Sequence, residues 1–237
     1  MKFSSPLIPA RLIKRYKRFL ADAEILAGPD SGQTLTVHCP NPGAMLGLAE
    51  PGSKIWLTRS NNPARKLAYG WELIDVDGNL VGINTAHPNS LAEDALRSGI
   101  IPELTGYANL RREVPYGKNS RIDLLLETPG QPPCYIEVKN VHLKRKAELA
   151  EFPDSVTTRG AKHLSELASI KRGGARAVML YIVQRSDCRS FGLASDIDKA
   201  YAAAFATAMA AGIETLCYAC HITLDGIEIT KPLPIVL

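Results

Sequence analysis

The strongest constraint on this chain is a change of rhythm near Thr85. Before it, short apolar segments alternate with dense turn signals; after it, helix-length and strand-length segments take turns. The early strands are expected over 12–20, 34–38, 54–58, 66–76 and 80–83. They are punctuated by Gly28-Pro29-Asp30-Ser31-Gly32, Pro40-Asn41-Pro42-Gly43, Pro51-Gly52, Asn61-Asn62-Pro63 and Asp77-Gly78-Asn79. Strands this short and this evenly spaced predict a small all-β, OB-like barrel over residues 1–85.

Residues 86–237 predict an α/β domain with a mixed sheet. A helix is expected over 89–98, capped by Asn89 or Ser90 and stopped by Gly99. Three meandering strands follow at 110–117, 120–127 and 134–143. Thr157 or Thr158 caps a helix to about residue 172, which Gly173-Gly174 ends. The apolar run 175–184 reads as a strand buried on both faces. A helix from Ser195 or Asp196 to 211, closed by Gly212, and a strand over 214–223 with a short tail complete the pattern.

Composition narrows the function classes. With 46% hydrophobic and 22% charged residues in 237, the chain can bury one large core or two modest ones. No run of about 20 apolar residues exists to span a membrane. Met1 to Ala10 holds two prolines and lacks the apolar stretch of an export signal. Five scattered cysteines read as reduced thiols of a cytoplasmic protein. The net charge of +4 is a weak pointer to a polyanion, and nothing indicates a homodimer.

The chemistry concentrates in Ile136-Glu137-Val138-Lys139. Strand alternation sends Glu137 and Lys139 to one face. On the preceding strand, Asp123 interrupts an apolar run from Ile122 to Leu126. A hairpin centred near Gly130 pairs residues whose numbers sum to about 260, as those of Asp123 and Glu137 do, with Cβ atoms roughly 5 Å apart. Facing carboxylates destabilise a sheet unless a cation lies between them. Mg²⁺ or Mn²⁺ with water and phosphate oxygens fits such a pair, and Lys139 would reach the same place. Glu93 and Glu113 are lesser carboxylate candidates.

A basic surface accompanies the acids. Lys2, Arg11, Lys14, Arg15, Lys17 and Arg18 occur before any acid, with Tyr16 and Phe19 interleaved. Alternation would align Arg11, Ile13, Arg15 and Lys17 to track phosphates while an aromatic stacks on a base. Arg59, Arg65 and Lys66 are expected on the same face. The helix from Thr158 carries Arg159, Lys162, His163 and Glu166 on one stripe, opposite Ala161, Leu164 and Ala168. Arg159 and Lys162 could clamp a phosphate there.

Two other motifs are set aside. Cys217-Tyr218-Ala219-Cys220-His221 has haem-attachment spacing, but it lies in an expected strand and is read as buried thiols. The alanine-rich helix before Gly212 lacks the polar residues of a base-reading helix and is followed by a strand.

Several segments together resemble the sugar fermentation stimulation protein A (SfsA) family, and the α/β half resembles the PD-(D/E)xK nuclease core. They are Arg15-Tyr16-Lys17-Arg18-Phe19-Leu20-Ala21-Asp22 and Val37-His38-Cys39-Pro40-Asn41-Pro42-Gly43-Ala44-Met45. Ser120-Arg121-Ile122-Asp123, Tyr135-Ile136-Glu137-Val138-Lys139 and Phe152-Pro153-Asp154-Ser155-Val156-Thr157 follow. Arg159-Gly160-Ala161-Lys162-His163-Leu164-Ser165-Glu166-Leu167 is last. The resemblance implies an OB-like domain, a nuclease-like domain, DNA binding and a link to regulation of sugar metabolism. It implies metal ligation at Asp123 and Glu137 and assistance to the attacking water at Lys139. Pro42 stands where the family pattern has Thr, so no role for that hydroxyl carries over. The leading expectation is a backbone-directed DNA-binding protein. The alternatives are a Mg²⁺-dependent nuclease and a module that binds proteins or metabolites without nucleic acid.

Overall fold

A computed structural model describes residues 1–117 and 120–237. Its first six strands are β1 (Ile8–Tyr16), β2 (Leu20–Ile25), β3 (Thr34–His38), β4 (Lys54–Arg59), β5 (Tyr69–Val76) and β6 (Asn79–Gly82). They lie in the order β3-β2-β1-β4-β5-β6, and a contact of β3 with β5 at His38 and Gly70 closes the sheet. Closure pairs edge groups that a small open sheet would leave bare. Ala10, Leu12, Ile25, Val37, Ile55 and Trp71 fill the interior. The barrel is OB-like, as expected.

Its first hairpin differs from expectation. The strand expected over 12–20 is two strands, joined by a turn in which Lys17 and Arg18 adopt φ of 49° and 60°. Neither is a residue that favours this region, so the sequence carries no signal for the turn. A bulge between Leu12 and Lys14 also breaks the alternation. The expected stripe of Arg11, Ile13, Arg15 and Lys17 therefore does not form. Arg11 and Lys14 instead face Glu24 and Asp22 of β2, each at 3.4 Å.

The second half comprises α1 (Pro88–Arg97), a 3₁₀ turn at Pro102–Leu104, β7 (Asn109–Tyr116), β8 (Ser120–Glu127), β9 (Cys134–Val141), β10 (Leu143–Lys146) and β11 (Leu149–Phe152). It continues with α2 (Thr158–Arg172), β12 (Arg176–Val183), β13 (Ser190–Leu193), α3 (Lys199–Ala210), β14 (Glu214–Ile222), β15 (Ile227–Pro232) and β16 (Ile235–Val236). The main sheet runs β15-β14-β12-β9-β8-β7, with β9, β12 and β14 parallel and the other pairings antiparallel. This is the mixed α/β sheet expected. Every residue of β12 after Arg176 is buried, as a central parallel strand requires.

Each face of that sheet has its own core. Leu164 and Leu167 of α2 and Tyr201 and Phe205 of α3 pack with Ile122, Leu125 and Tyr181 on one side. Leu91 and Ala92 of α1 pack with Leu124, Ile136 and Val178 on the other. Trp56 and Leu73, from the barrel, belong to this second core. The Gly82 amide also donates to the Gln184 carbonyl at 2.9 Å. The two halves are thus knitted together.

Thr157 caps α2 as expected, accepting from the Gly160 amide at 3.1 Å. Helix α1 starts at Pro88 with no side-chain cap, so neither Asn89 nor Ser90 serves. Proline suits this position because its missing N–H has no helical partner there anyway. Helix α3 begins later than expected, capped by Asp198. The sequence reading missed a four-stranded sheet, β10-β11-β13-β16. In its first hairpin Arg145 donates to Glu151 and also to Asp196, far along the chain. Cys217 and Cys220 lie in the cores on opposite faces of the sheet, so they do not converge on one group. No helix among the described residues is long and apolar enough to cross a membrane.

Candidate metal and nucleic-acid site

Strands β8 and β9 pair Leu124 with Ile136, Leu125 with Tyr135 and Leu126 with Cys134. The ladder ends there, one residue short of Asp123 and Glu137. At that step the Asp123 carboxylate takes the place of a ladder carbonyl: its Oδ2 accepts from the Val138 amide at 2.8 Å. Asn89, the second residue of α1, donates to its Oδ1 at 2.9 Å. The same amide lies 3.4 Å from Glu113 Oε1. Glu113, with φ of 51°, stands between the Arg112–Leu124 and Val114–Ile122 pairs of an unbroken β7–β8 register. Glu93 is occupied elsewhere, by Arg97 and Arg112.

Glu137 is 2% exposed. Its Oε1 accepts from Lys139 Nζ at 2.7 Å and from His163 Nδ1. Its Oε2 is buried and has no partner. Burial alone would raise the carboxyl's pKa, but His163 and Lys139 outweigh it and hold the group below its ordinary value. Asp123 moves the other way, raised by burial and by the charge of Glu137. One acid is held ionised while its neighbour resists ionisation, as expected for carboxylates sharing a small space.

Helix α2 supplies the other wall. His163 is buried, and Arg159 Nε donates to its Nε2 at 3.2 Å. That bond needs a lone pair on Nε2, which places the ring proton on Nδ1, toward Glu137. Lys162, on the exposed side, reaches Ser120 at 3.3 Å and Glu166 at 3.5 Å. Tyr116 and Glu166 are additions that the sequence reading did not assign to the site. The Tyr116 hydroxyl and Glu166 Oε2 are buried without partners, like Glu137 Oε2. Burial, then the charges of Glu137, Glu166 and Asp123, push the Tyr116 phenol well above its ordinary range.

A cleft of about 1020 Å³ opens beside these groups, lined by Arg15, Arg18, Pro42, Gly43, Lys139, His142, Asp154 and Arg159, among others. Barrel and α/β domain both contribute to it. Arg15 is committed to the barrel loop, donating to the carbonyls of Asn41 at 2.8 Å and Gly43 at 2.9 Å. Asp154 Oδ2 accepts from the Met45 amide at 3.0 Å and lies 3.2 Å from His142 Nε2. A Cβ at position 43 would collide with the Asp154 carboxylate, which would have to leave its bonds to Met45 and His142. Of the basic residues singled out in the sequence, Arg15, Arg18 and Arg159 thus meet Lys139 in one cleft. Arg11, Lys14, Lys17, Arg59, Arg65, Lys66 and Lys162 do not line it, and neither does His163, which is buried against Glu137. Arg59 lies over Tyr69 and 3.9 Å from Asp30, and Arg65 is 3.5 Å from His38.

Among the described residues, no three His, Cys, Asp or Glu side chains form a ready cage for a metal ion. A hard cation that keeps several waters needs only one or two carboxylates. The orphaned Glu137 Oε2 beside Asp123 fits that requirement. Both Asp123 oxygens retain a lone pair after their single hydrogen bonds.

An OB-like barrel fused to a mixed α/β domain, with a strand-borne acid pair and lysine, defines the class of protein. The SfsA N-terminal OB domain matches residues 13–83, and the sugar fermentation stimulation protein RE domain matches residues 86–226. The chain belongs to the SfsA family. A sugar fermentation stimulation protein homolog of Rhodospirillum centenum is 58% identical over 233 residues, covering 98% of each chain. One of Paramagnetospirillum magneticum is 55% identical over 233 residues, covering 98% of this chain and 97% of its own. The structure of Pyrococcus furiosus SfsA in complex with Ca²⁺ matches with a TM-score of 0.88 at 26% identity, covering 100% of this chain and 98% of that one.

Proposed function

We propose that this chain is a cytoplasmic DNA-binding protein that grips the phosphate backbone in the cleft beside Asp123 and Glu137, with a divalent cation at the acid pair. The barrel, residues 1–85, and the α/β unit, residues 86–237, would share the grip, and the role would be regulatory in sugar metabolism. The observation that carries the reading is the buried, unpartnered Glu137 Oε2 next to Asp123, linked through Lys139 to a cleft also lined by Arg18 and Arg159. The Ca²⁺ complex of the Pyrococcus relative supports a hard-cation site in this fold.

Asp123 and Glu137 would hold Mg²⁺ or Mn²⁺. Such an ion supplies Lewis-acid stabilisation of charge on a phosphate oxygen. His163 fixes the Glu137 carboxylate in place, and Arg159 fixes His163. Lys139 offers an ammonium at the rim, where it can meet a phosphate. Contacts of this kind carry little sequence information and weaken steeply with salt.

Lys139 beside the acid pair also favours a second reading, that of a Mg²⁺-dependent nuclease in which the lysine orients the attacking water. One experiment separates the readings. Purified protein is incubated with supercoiled plasmid and oligonucleotides in Mg²⁺, Mn²⁺ or chelator, and retention and nicking are both scored. Retention without nicking is expected. Metal-dependent nicking that vanishes in Glu137→Gln makes the protein an enzyme. No retention of any nucleic acid at low salt removes both readings and leaves the protein- or metabolite-binding module.

A further inference from the structure

We propose that the Phe19 ring, backed by the His38 imidazole, is a stacking platform for an unpaired base, so that the barrel engages single-stranded DNA in preference to duplex. This rests on the DNA-binding reading above and names the form of DNA it prefers.

Phe19 sits on the tight turn between β1 and β2 and is 45% exposed. Its ring lies nearly parallel to that of His38, with centroids 6.5 Å apart and planes 20° apart. The backbone beneath it is pinned. The Phe19 amide donates to the Lys17 carbonyl at 2.7 Å, and the Cys39 amide donates to the Phe19 carbonyl at 2.9 Å. Lys17 and Arg18 are held left-handed, which is unfavourable for such residues. A strained turn that displays an aromatic ring is a recurrent mark of a functional segment.

The neighbourhood is cationic and continuous with the cleft. Arg65 approaches His38 at 3.5 Å. Burial and then Arg65 lower the His38 pKa, which favours the neutral ring. Arg18, next to Phe19 in the chain, lines the cleft that holds Lys139 and Arg159. A strand whose base rests on Phe19 can therefore run its phosphates toward that cleft. The other aromatic of the basic segment is already engaged. Tyr16 donates to Asp22 at 2.9 Å, and Lys14 stands 5.3 Å above its ring. In a duplex each base face is covered by the next base pair, so an exposed ring has nothing to stack on; in a single strand it does.

The test is fluorescence anisotropy with a labelled single strand of about 12 nucleotides, within the span one OB barrel covers, against its duplex, an abasic analogue and the same sequence as RNA. Phe19→Ala should weaken single-strand binding about tenfold or more, as loss of one base–aromatic stack does. Duplex and abasic binding should be unchanged, and so should the salt slope, because no phosphate contact is lost. Phe19→Trp should bind like the parent, and Phe19→Leu like the alanine variant. The RNA arm reports whether stacking extends to the ribose strand; tighter RNA than DNA binding overturns the DNA assignment. Equal single-strand binding by Phe19→Ala and the parent overturns the platform, as does an equal loss on duplex. A parent protein that retains no nucleic acid overturns the DNA-binding reading itself, whereas duplex retention with an inert Phe19 overturns only this inference.

Discussion

Asp154→Asn should cost about 2 kcal/mol of stability near neutral pH and roughly half that near pH 3. The carboxyl stays ionised down to about 2, against an ordinary 3.8. Burial opposes this, but His142, the Met45 amide and the Ser155 hydroxyl more than offset it. The gap corresponds to about 2 kcal/mol in favour of the folded state. The side chain is 16% exposed, so solvent screening takes little from that figure. As pH falls, the unfolded chain takes up the proton first, near its ordinary value, while the folded chain resists until about 2. The stabilisation is therefore complete above the unfolded value and drains away below it. Urea unfolding of parent and variant at about pH 7, 5 and 3 measures the difference directly. Hydrogen bonds lost in the variant add an offset that does not depend on pH, so the change with pH is the readout. A difference of the same size near pH 7 and near pH 3 would refute the reasoning.

Two further outcomes follow from the geometry. Trp56→Ala, which empties a side chain 5% exposed from the barrel into the α1 core, should cost about 3–5 kcal/mol by thermal or urea unfolding; a near-neutral result would show that the halves do not share that core. Arg18→Ala and Arg159→Ala should each lower the salt slope of DNA binding by about one. Arg11→Ala and Lys14→Ala should lower it less, because those cations already face Glu24 and Asp22.

What could be read from the sequence follows the strength of local chemistry. The Pro129-Gly130 turn and the apolar runs on either side specified a register that the pairing of Leu124 with Ile136 reproduces. The period of α2, its Thr157 cap and the closing glycines located that helix to within a residue. The β1–β2 turn was invisible because Lys17 and Arg18 are not residues that announce a left-handed bend. The small sheet was invisible because Arg145 meets Glu151 and the distant Asp196 only after folding. For the site, the acid pair and lysine stood out as charges within apolar strands. Tyr116 and Glu166 did not, since only packing reveals a buried oxygen without a partner. Arg15 looked like one more phosphate contact; its role bracing the 41–44 loop depends on neighbours far along the chain.

Because indole and leucyl groups of the barrel are stitched into the hydrophobic layer under α1, and Gly82 is tied to Gln184, the width of the groove is decided as the polypeptide collapses. On the DNA-binding reading, a polymer of the wrong girth would be turned away by shape alone, and a loosened layer would widen the groove without touching a single charge in it.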